Sequence, residues 1–485
     1  MLVFFVCLYM LVTIPVSIVA AHKIHSSKDY VLAGRHLPFL MVLATVFATW
    51  FGSDSILGAG TAMAEGGFLN TMVDPFGAGL CLVIIGIFFV RKLYPLNHLT
   101  IGDYFTERYN RTVGTILSLA IILTYFGWTA AQFVAIGIVL NMLLGIPLAW
   151  GMALAAVIVV VYTYLGGMWS VSLNDTIQMG LIIVGLVVVV AEVIYKFGFS
   201  DIIAATPTEY FNLTPGSGGS MKEWLVYIAA LMTLGLGSIP QQDVYQRAMS
   251  AKSAVISQWA SITGGLMYFT IVMIPLFLGL TARYLHPELL AEGADAQQLL
   301  PTLILQHVSF PVQVLFFGSL LAAIMSTASG AILAPATLLA ENVIKPFFRE
   351  LSDQKRLHLI RGSIVGIALI ALVVAIQKGD IYDIVGSSYS ITLVAAFVPL
   401  AAGLYSKKAN SLGALTAVIF GALAWQYVEH FGGEDPVIPS IIVGLLASVV
   451  GMVAGSILER KEGPGRDVPL PGPHHRESDV HPHTV

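Results

Sequence analysis

LATVFATWFGSDSILGAGTAMAEGG, residues 43–67, is an apolar run of membrane-spanning length that is interrupted at its middle by Gly52, Ser53, Asp54 and Ser55. A second run, LMTLGLGSIPQQDVYQR at 231–247, repeats the pattern with Gly235, Gly237, Ser238 and Pro240. Gly and Pro both disfavour continuous helix and leave carbonyls and amides without helical partners. At membrane depth such backbone is tolerated only where it is buried in protein or lines a cavity. The two interruptions lie about 187 residues apart. Each falls in the first helix of a block of five apolar runs, 38–197 and 223–403. Five is odd, so the blocks run in opposite senses through the bilayer. Paired broken helices in inverted repeats point to the binding site of a secondary transporter. Glycines such as Gly58, Gly60, Gly77 and Gly79 are explained equally well by close helix packing.

The composition of the 485 residues supports a membrane setting: 57% are hydrophobic, 11% are charged and the mean hydropathy is +0.83. A soluble domain carries roughly 25% charged residues, so a soluble enzyme, a nucleic-acid binder and a disordered scaffold are excluded. A net charge of −4 offers nothing to a polyanion. Cys7 and Cys81 both lie in apolar runs, which leaves no disulfide framework and no metal cluster.

Runs of about 20 apolar residues suit helical spans. Thirteen are predicted, at 2–21, 38–64, 70–90, 112–143, 147–165, 171–195, 223–244, 253–282, 309–343, 359–377, 381–403, 411–430 and 437–458. The first lacks the basic n-region of a signal peptide, because Lys23 follows the apolar run, and it is read as a retained helix. With the N-terminus outside, 20 of the 24 basic residues fall on the inner side, Arg247 among them; Lys196, Lys222, Arg283 and Lys378 are the outer four. Outer loops are acidic, with Glu288, Glu292, Asp295, Glu434 and Asp435. This obeys the positive-inside rule. The expected organisation is an all-α polytopic membrane protein. It has a peripheral N-terminal helix at 1–22, two inverted five-helix repeats with discontinuous first helices, and two peripheral helices within 408–458. The tail, 459–485, is Pro-, Gly- and His-rich and reads as disordered on the cytoplasmic side; His474, His475, His481 and His483 there read as solvated rather than metal-binding. Asn212-Leu-Thr is a formal glycosylation sequon and carries no weight.

The ninth span, FFGSLLAAIMSTASGAILAPATLLAENV at 316–343, gathers Ser326, Thr327 and Ser329 in an apolar helix. Sodium is a hard cation that wants several oxygens, and hydroxyls beside unwound carbonyls supply them. The ordinary alternative is a hydroxyl bonded back to its own helix.

LAAIMSTASGAIL (321–333), YTYLGGMWSVSLNDTIQ (162–178) and ATWFGSDS (48–55) resemble the sodium:solute symporter family, over about residues 25–415. The resemblance implies a leucine-transporter-type inverted-repeat carrier of thirteen spans, with the N-terminus outside and the C-terminus inside. It implies a sodium site between the second and ninth spans: the Ala48, Phe51 and Ala323 carbonyls and the Ser326 and Thr327 hydroxyls. Asp175 falls where the family has an acidic residue near the sodium path. Some members bind a second sodium through that residue and a run of serines; Asp175, Ser326 and Ser329 fit, while Gly330 stands where a further serine would be.

Within the family, ATWFG (48–52), GSIPQQDVYQRAMSAKSA (237–254) and the ninth-span motif resemble the high-affinity choline carriers. These cradle a quaternary ammonium among aromatic faces. Trp50 and Trp128 match two cage aromatics, whereas Gln241 replaces a tryptophan and Ala78 a tyrosine. Gln241, Gln242 and Gln132 offer hydrogen bonds instead, a pattern that suits carboxylate or hydroxyl groups better than a bare ammonium. Asp54 and Asp74 are intramembrane carboxylates, each costing at least about 2.5–3.5 kcal/mol in hydrocarbon, and are expected to face a cavity and bind substrate; Asp74 is read as a substrate or proton partner, with a structural hydrogen-bond role as the equal alternative. Asp74 precedes Pro75 and is expected at a kink.

The function expected is sodium-coupled symport of a small polar organic solute, choline-like, an amino acid or a carboxylate, by alternating access in the plasma (inner) membrane. Its partners are that solute, sodium and the lipid bilayer, with no nucleic acid and no organic cofactor. A proton-coupled carrier is the nearer alternative. A transporter-like solute sensor would carry a signalling domain, and 459–485 is expected to hold none. An intramembrane enzyme would need a dyad or HExxH; Glu429 and His430, the close Glu-His pair, sit at an outer helix end.

Overall fold

A computed structural model describes residues 13–291, 296–348, 351–378, 389–433 and 436–459. Most of the first predicted span, with Cys7, lies outside the described residues. So do Glu292, Asp295, Glu434, Asp435, the beginning of the run at 381–403 and the tail with its four histidines.

Among the described residues the chain is helical, apart from one parallel bridge between Leu37 and Ala251. The elements that position the site are α1 (Phe39–Trp50), α2 (Asp54–Gly66), α3 (Phe68–Leu96), α4 (Ile101–Arg108), α5 (Arg111–Leu144), α6 (Leu148–Phe197), α7 (Met221–Gly235), α8 (Gln242–Met249) and α9 (Ala254–Leu285). They continue with α10 (Leu299–His307), α11 (Phe310–Phe347), α12 (Asp353–Gln377), α13 (Tyr389–Tyr405), α14 (Ser411–Phe431) and α15 (Ser440–Glu459).

Eight of these helices are long and apolar enough to span a bilayer, and the α1–α2 pair, bent by 61°, makes a ninth. The shortfall from thirteen has physical sources. At 50 residues, α6 covers two predicted spans, run together across a kink. It turns at Gly167, whose φ of 48° a side chain rarely adopts and where a Cβ would lie 2.4 Å from Tyr30 O. The second broken run is split into α7 and α8, each too short to count alone. The helix α13 follows residues outside the described set.

Helix starts carry their caps. Asn110 Oδ1 accepts from Val113 N at 2.9 Å ahead of α5, and Thr100 with Asp103 and Ser220 with Glu223 form reciprocal capping boxes. The innermost helix is α11, with residues 319–338 buried throughout, packed on α5, α6 and α12. By contrast α14 and α15 turn Leu423, Tyr427, Val450 and Val453 outward, as a lipid-facing surface requires, and meet each other through Gly421, Gly444, Gly451 and Gly455.

Candidate functional site

The first break is three residues long. Phe51 leaves the helical region (φ −80°, ψ 70°), and the Gly52 amide turns back to Trp50 O at 2.9 Å instead of reaching Ala48 O. The Ala48 carbonyl thereby loses its helical partner. Facing this break is α11. A Cβ on Gly52 would lie 2.4 Å from Thr327 Oγ1, so only glycine allows so close an approach. Thr327 Oγ1 is buried and has no hydrogen-bond partner among the described residues. Ser326 Oγ gives its proton to Asp175 Oδ1 at 2.6 Å, which leaves its lone pairs free. Ala48, Phe51, Ala323, Ser326 and Thr327 are all buried. An orphaned hydroxyl beside a released carbonyl is the donor set that a hard cation needs, so these residues fit sodium.

Asp175 is fully buried on α6 and accepts a second hydrogen bond from Thr45 Oγ1 on α1. It therefore joins α6, α1 and α11 at one point. Ser329 Oγ is turned away from it and donates to Ser326 O at 2.8 Å, the ordinary helix back-bond.

On the other side of the break stand the polar groups of the expected cargo site. Trp128 Nε1 donates to Asp54 Oδ2 at 3.2 Å, and Ser53 Oγ lies 3.2 Å from Asp54 Oδ1 and 3.0 Å from Gln132 Oε1. Asp74 has extended backbone (φ −134°, ψ 128°), so α3 is interrupted there as the sequence predicts. Its carboxylate accepts from Ser55 Oγ at 3.0 Å and from Tyr268 OH at 3.2 Å. Tyr268 OH also lies 2.8 Å from Trp50 O, the other acceptor within reach of its one proton, which ties α9 to the break. Asp54 and Asp74 keep partial exposure, whereas Trp50, Trp128, Gln132 and Gln241 are buried. Trp128 and Tyr389 meet edge to face, with ring centroids 6.2 Å apart.

Two expected members behave differently. Gln242 Oε1 accepts from Ile101 N at 2.8 Å, so this amide caps the start of α4 instead of facing the carboxylates. Trp50 Nε1 donates to Asp243 Oδ2 at 2.7 Å, so its indole is held by a carboxylate that sequence reasoning passed over. Asp243 is fully buried and also accepts from Tyr125 OH. Arg247, counted with the inner-face charges, is 2% exposed and lies inside the protein. The signal was in QQDVYQR itself: Asp243 and Arg247 stand four apart, on one face of a helix that follows a break.

The sodium:solute symporter family model matches residues 30–421. High-affinity choline transporter 1 of Caenorhabditis elegans is 28% identical over 424 residues, covering 84% of this chain and 72% of the relative. The sodium/proline symporter of Escherichia coli (strain K12) is 28% identical over 477 residues, covering 93% and 92%. Sodium/pantothenate symporter of Haemophilus influenzae is 26% identical, covering 88% and 90%. Among solved structures, a Na+-coupled sialic acid symporter in a substrate-bound outward-open state superposes with a TM-score of 0.82 at 18% identity, covering 96% of this chain and 98% of that one. MHP1, a nucleobase-cation-symport-1 transporter in a closed conformation, gives 0.60 at 15% identity, covering 89% and 95%. These likenesses establish the fold. With a family match over most of its length, this integral membrane chain belongs to the sodium:solute symporter family, a family of carriers and not of enzymes.

Proposed function

We propose that this protein is a sodium-coupled symporter that carries a small solute bearing a protonated amine, by alternating access across a plasma membrane. The observation that supports the reading is that one three-residue break meets α11 on one side and the Asp54–Trp128 pair on the other. Gly52 within it packs against Thr327, whereas Asp54 follows it and meets Trp128. Sodium bound on one face fixes the backbone from which the other projects.

The residues alone favoured a carboxylate- or hydroxyl-bearing cargo; the geometry favours a cation. Asp54, Asp74 and Asp243 cluster about the break and bring negative charge, with Trp128 and Tyr389 beside them. An N–H-bearing ammonium supplies both the charge and the donors that partly open carboxylates accept. Trp50, held by Asp243, and Gln241, in place of an aromatic, make a poorer cage for a quaternary group. In this reading residues 38–197 and 223–403 are the inverted repeats that rock about the site, with the N-terminus outside. One sodium falling through 100 mV supplies about 2.3 kcal/mol. A tenfold sodium gradient adds about 1.4 kcal/mol, enough together for roughly a few hundredfold accumulation.

The test is thermal stabilisation of the purified chain by proline, butylamine, choline and pyruvate, in sodium and in potassium, followed by uptake into proteoliposomes. Amine-bearing probes should stabilise in sodium. Stabilisation by pyruvate alone would sink the cargo assignment, and responses identical in sodium and potassium would sink the coupling.

A further inference from the structure

Gly264 of α9 packs tightly on α1: a Cβ there would stand 3.2 Å from Val46 Cγ1. Four residues on, and so on the same face of the helix, Tyr268 is fully buried. Its ring meets those of Phe47 and Phe51 edge to face, with centroids 6.0 and 5.4 Å away, while Phe47 and Phe51 stack on each other at 4.9 Å. Phe51 is the residue at which α1 leaves helical geometry. The phenol is therefore clamped to the first break, and the freedom left to it is the direction of one O–H bond.

A phenol has a single proton to donate, and here it has two acceptors. Trp50 O lies 2.8 Å from Tyr268 OH and Asp74 Oδ1 lies 3.2 Å from it, with Ser55 Oγ also in contact. Ser55 faces the same choice, 3.0 Å from Asp74 Oδ2 and 3.2 Å from Trp50 O. Trp50 O belongs to the break. It already accepts from Gly52 N, and a second donor fills its remaining lone pair and stiffens the turn that carries Phe51. Asp74 belongs to the proposed cargo face, and a carboxylate is the stronger hydrogen-bond acceptor. An ammonium docked on Asp74 brings donors of its own, which leaves the phenol proton to Trp50 O.

We infer that Tyr268 is a positioning residue that couples cargo to ion: its one O–H turns from Asp74 to Trp50 O when an amine binds, and so fixes the broken turn for sodium. This rests on the sodium-coupled, amine-carrying reading and names the side chain through which its two faces communicate. The hydroxyl only rotates, and no proton is transferred. Linkage makes the effect reciprocal, so sodium raises amine affinity by the same factor.

The experiment is equilibrium dialysis of the purified full-length chain against 22Na+, with potassium balancing the ionic strength, at zero and at saturating butylamine. In the wild type butylamine should tighten sodium binding at least about fivefold, the lower end of ordinary coupling. Tyr268→Phe keeps the ring on Phe51 and deletes the proton. It should bind sodium alone within about threefold of the wild type, the scale of one neutral hydrogen bond, while butylamine tightens that binding less than about twofold. Ser55→Ala leaves Tyr268 as the one side-chain donor to Trp50 O among the described residues and should keep the wild-type factor or exceed it. A phenol with a merely structural role would weaken sodium binding equally with and without butylamine. An undiminished factor in monodisperse Tyr268→Phe, or its collapse in Ser55→Ala, would each overturn the inference while leaving sodium coupling intact. No tightening by butylamine in the wild type would instead overturn the coupled-amine reading, and this inference with it.

Discussion

Gly52 and Thr327 are so close that the glycine has no room for a methyl group: its Cβ would stand 2.4 Å from Thr327 Oγ1 and 3.0 Å from Thr327 Cβ. The hydroxyl of one helix thus fills the notch left by the broken turn of another, and this contact holds the proposed ion face together.

Gly52→Ala forces the two apart. We expect at least a tenfold rise in the sodium concentration for half-maximal binding or uptake, equivalent to about 1.4 kcal/mol. Gly52→Ala with Thr327→Ala relieves the crowding and should recover thermal stability without recovering sodium affinity. If Gly52→Ala binds sodium like the wild type, Thr327 is not at the ion.

Asp74→Asn keeps a hydrogen-bonding group beside Ser55 and Tyr268 but removes the charge. A hydrogen bond to a charged partner contributes about 1.5–3 kcal/mol, so affinity for an amine probe should fall roughly tenfold to a hundredfold. Sodium binding by dialysis should stay near the wild-type value. An unchanged amine response would remove Asp74 from the cargo site.

Trp50→Phe retains a ring and deletes the donor to Asp243 Oδ2. A buried carboxylate that loses one of its donors costs about 1–3 kcal/mol, read as a lower melting temperature of the cargo-free protein. Tyr125→Phe removes the other side-chain donor and should act similarly. The pair should be less than additive, since both act on one carboxylate. Fully additive losses would show that Asp243 is not the shared acceptor.

A pH effect is expected in the loop between α9 and α11. His286 Nε2 and His307 Nε2 are 2.9 Å apart, and Glu288 Oε1 lies 3.0 Å from His286 Nδ1. Such a pair needs one donor and one acceptor nitrogen. Partial burial, then the charges of His286 and Lys196, hold His307 below its ordinary value of 6.5. A depressed histidine means that the unfolded state takes up the proton first. The stabilisation is therefore complete above about pH 6.5 and is lost as pH falls through the lower folded value. Hydrogen exchange across 286–309 should quicken between pH 7.5 and 5.5, and His307→Gln should flatten that response. A pH-independent exchange rate in the wild type would refute it.

Much of this candidate site was legible because membrane helices rarely tolerate Gly, Pro and Asp together, so both breaks and Asp54 and Asp74 stood out against an apolar background, while Asp175 was singled out only by the family resemblance. Asp243 and Arg247 did not, for a reason of counting. A charge next to a predicted helix end is assigned to the aqueous face, and only the packing of α8 against α1 and α11 shows that both are enclosed. Gln242 was misread in the opposite direction, since composition cannot tell a cargo ligand from a side chain that caps a neighbouring helix.

The small bridge at Leu37 has a mechanical meaning. Leu37 N donates to Ser250 O at 3.1 Å and Lys252 N donates to Leu37 O at 3.0 Å, which stitches the lead-in of α1 to the exit of α8. The near ends of the two interrupted helices are therefore buttoned to each other through their own backbones. While that stitch holds, neither end swings without towing the other, so a passage opened there opens by a shared stroke or begins by breaking two hydrogen bonds.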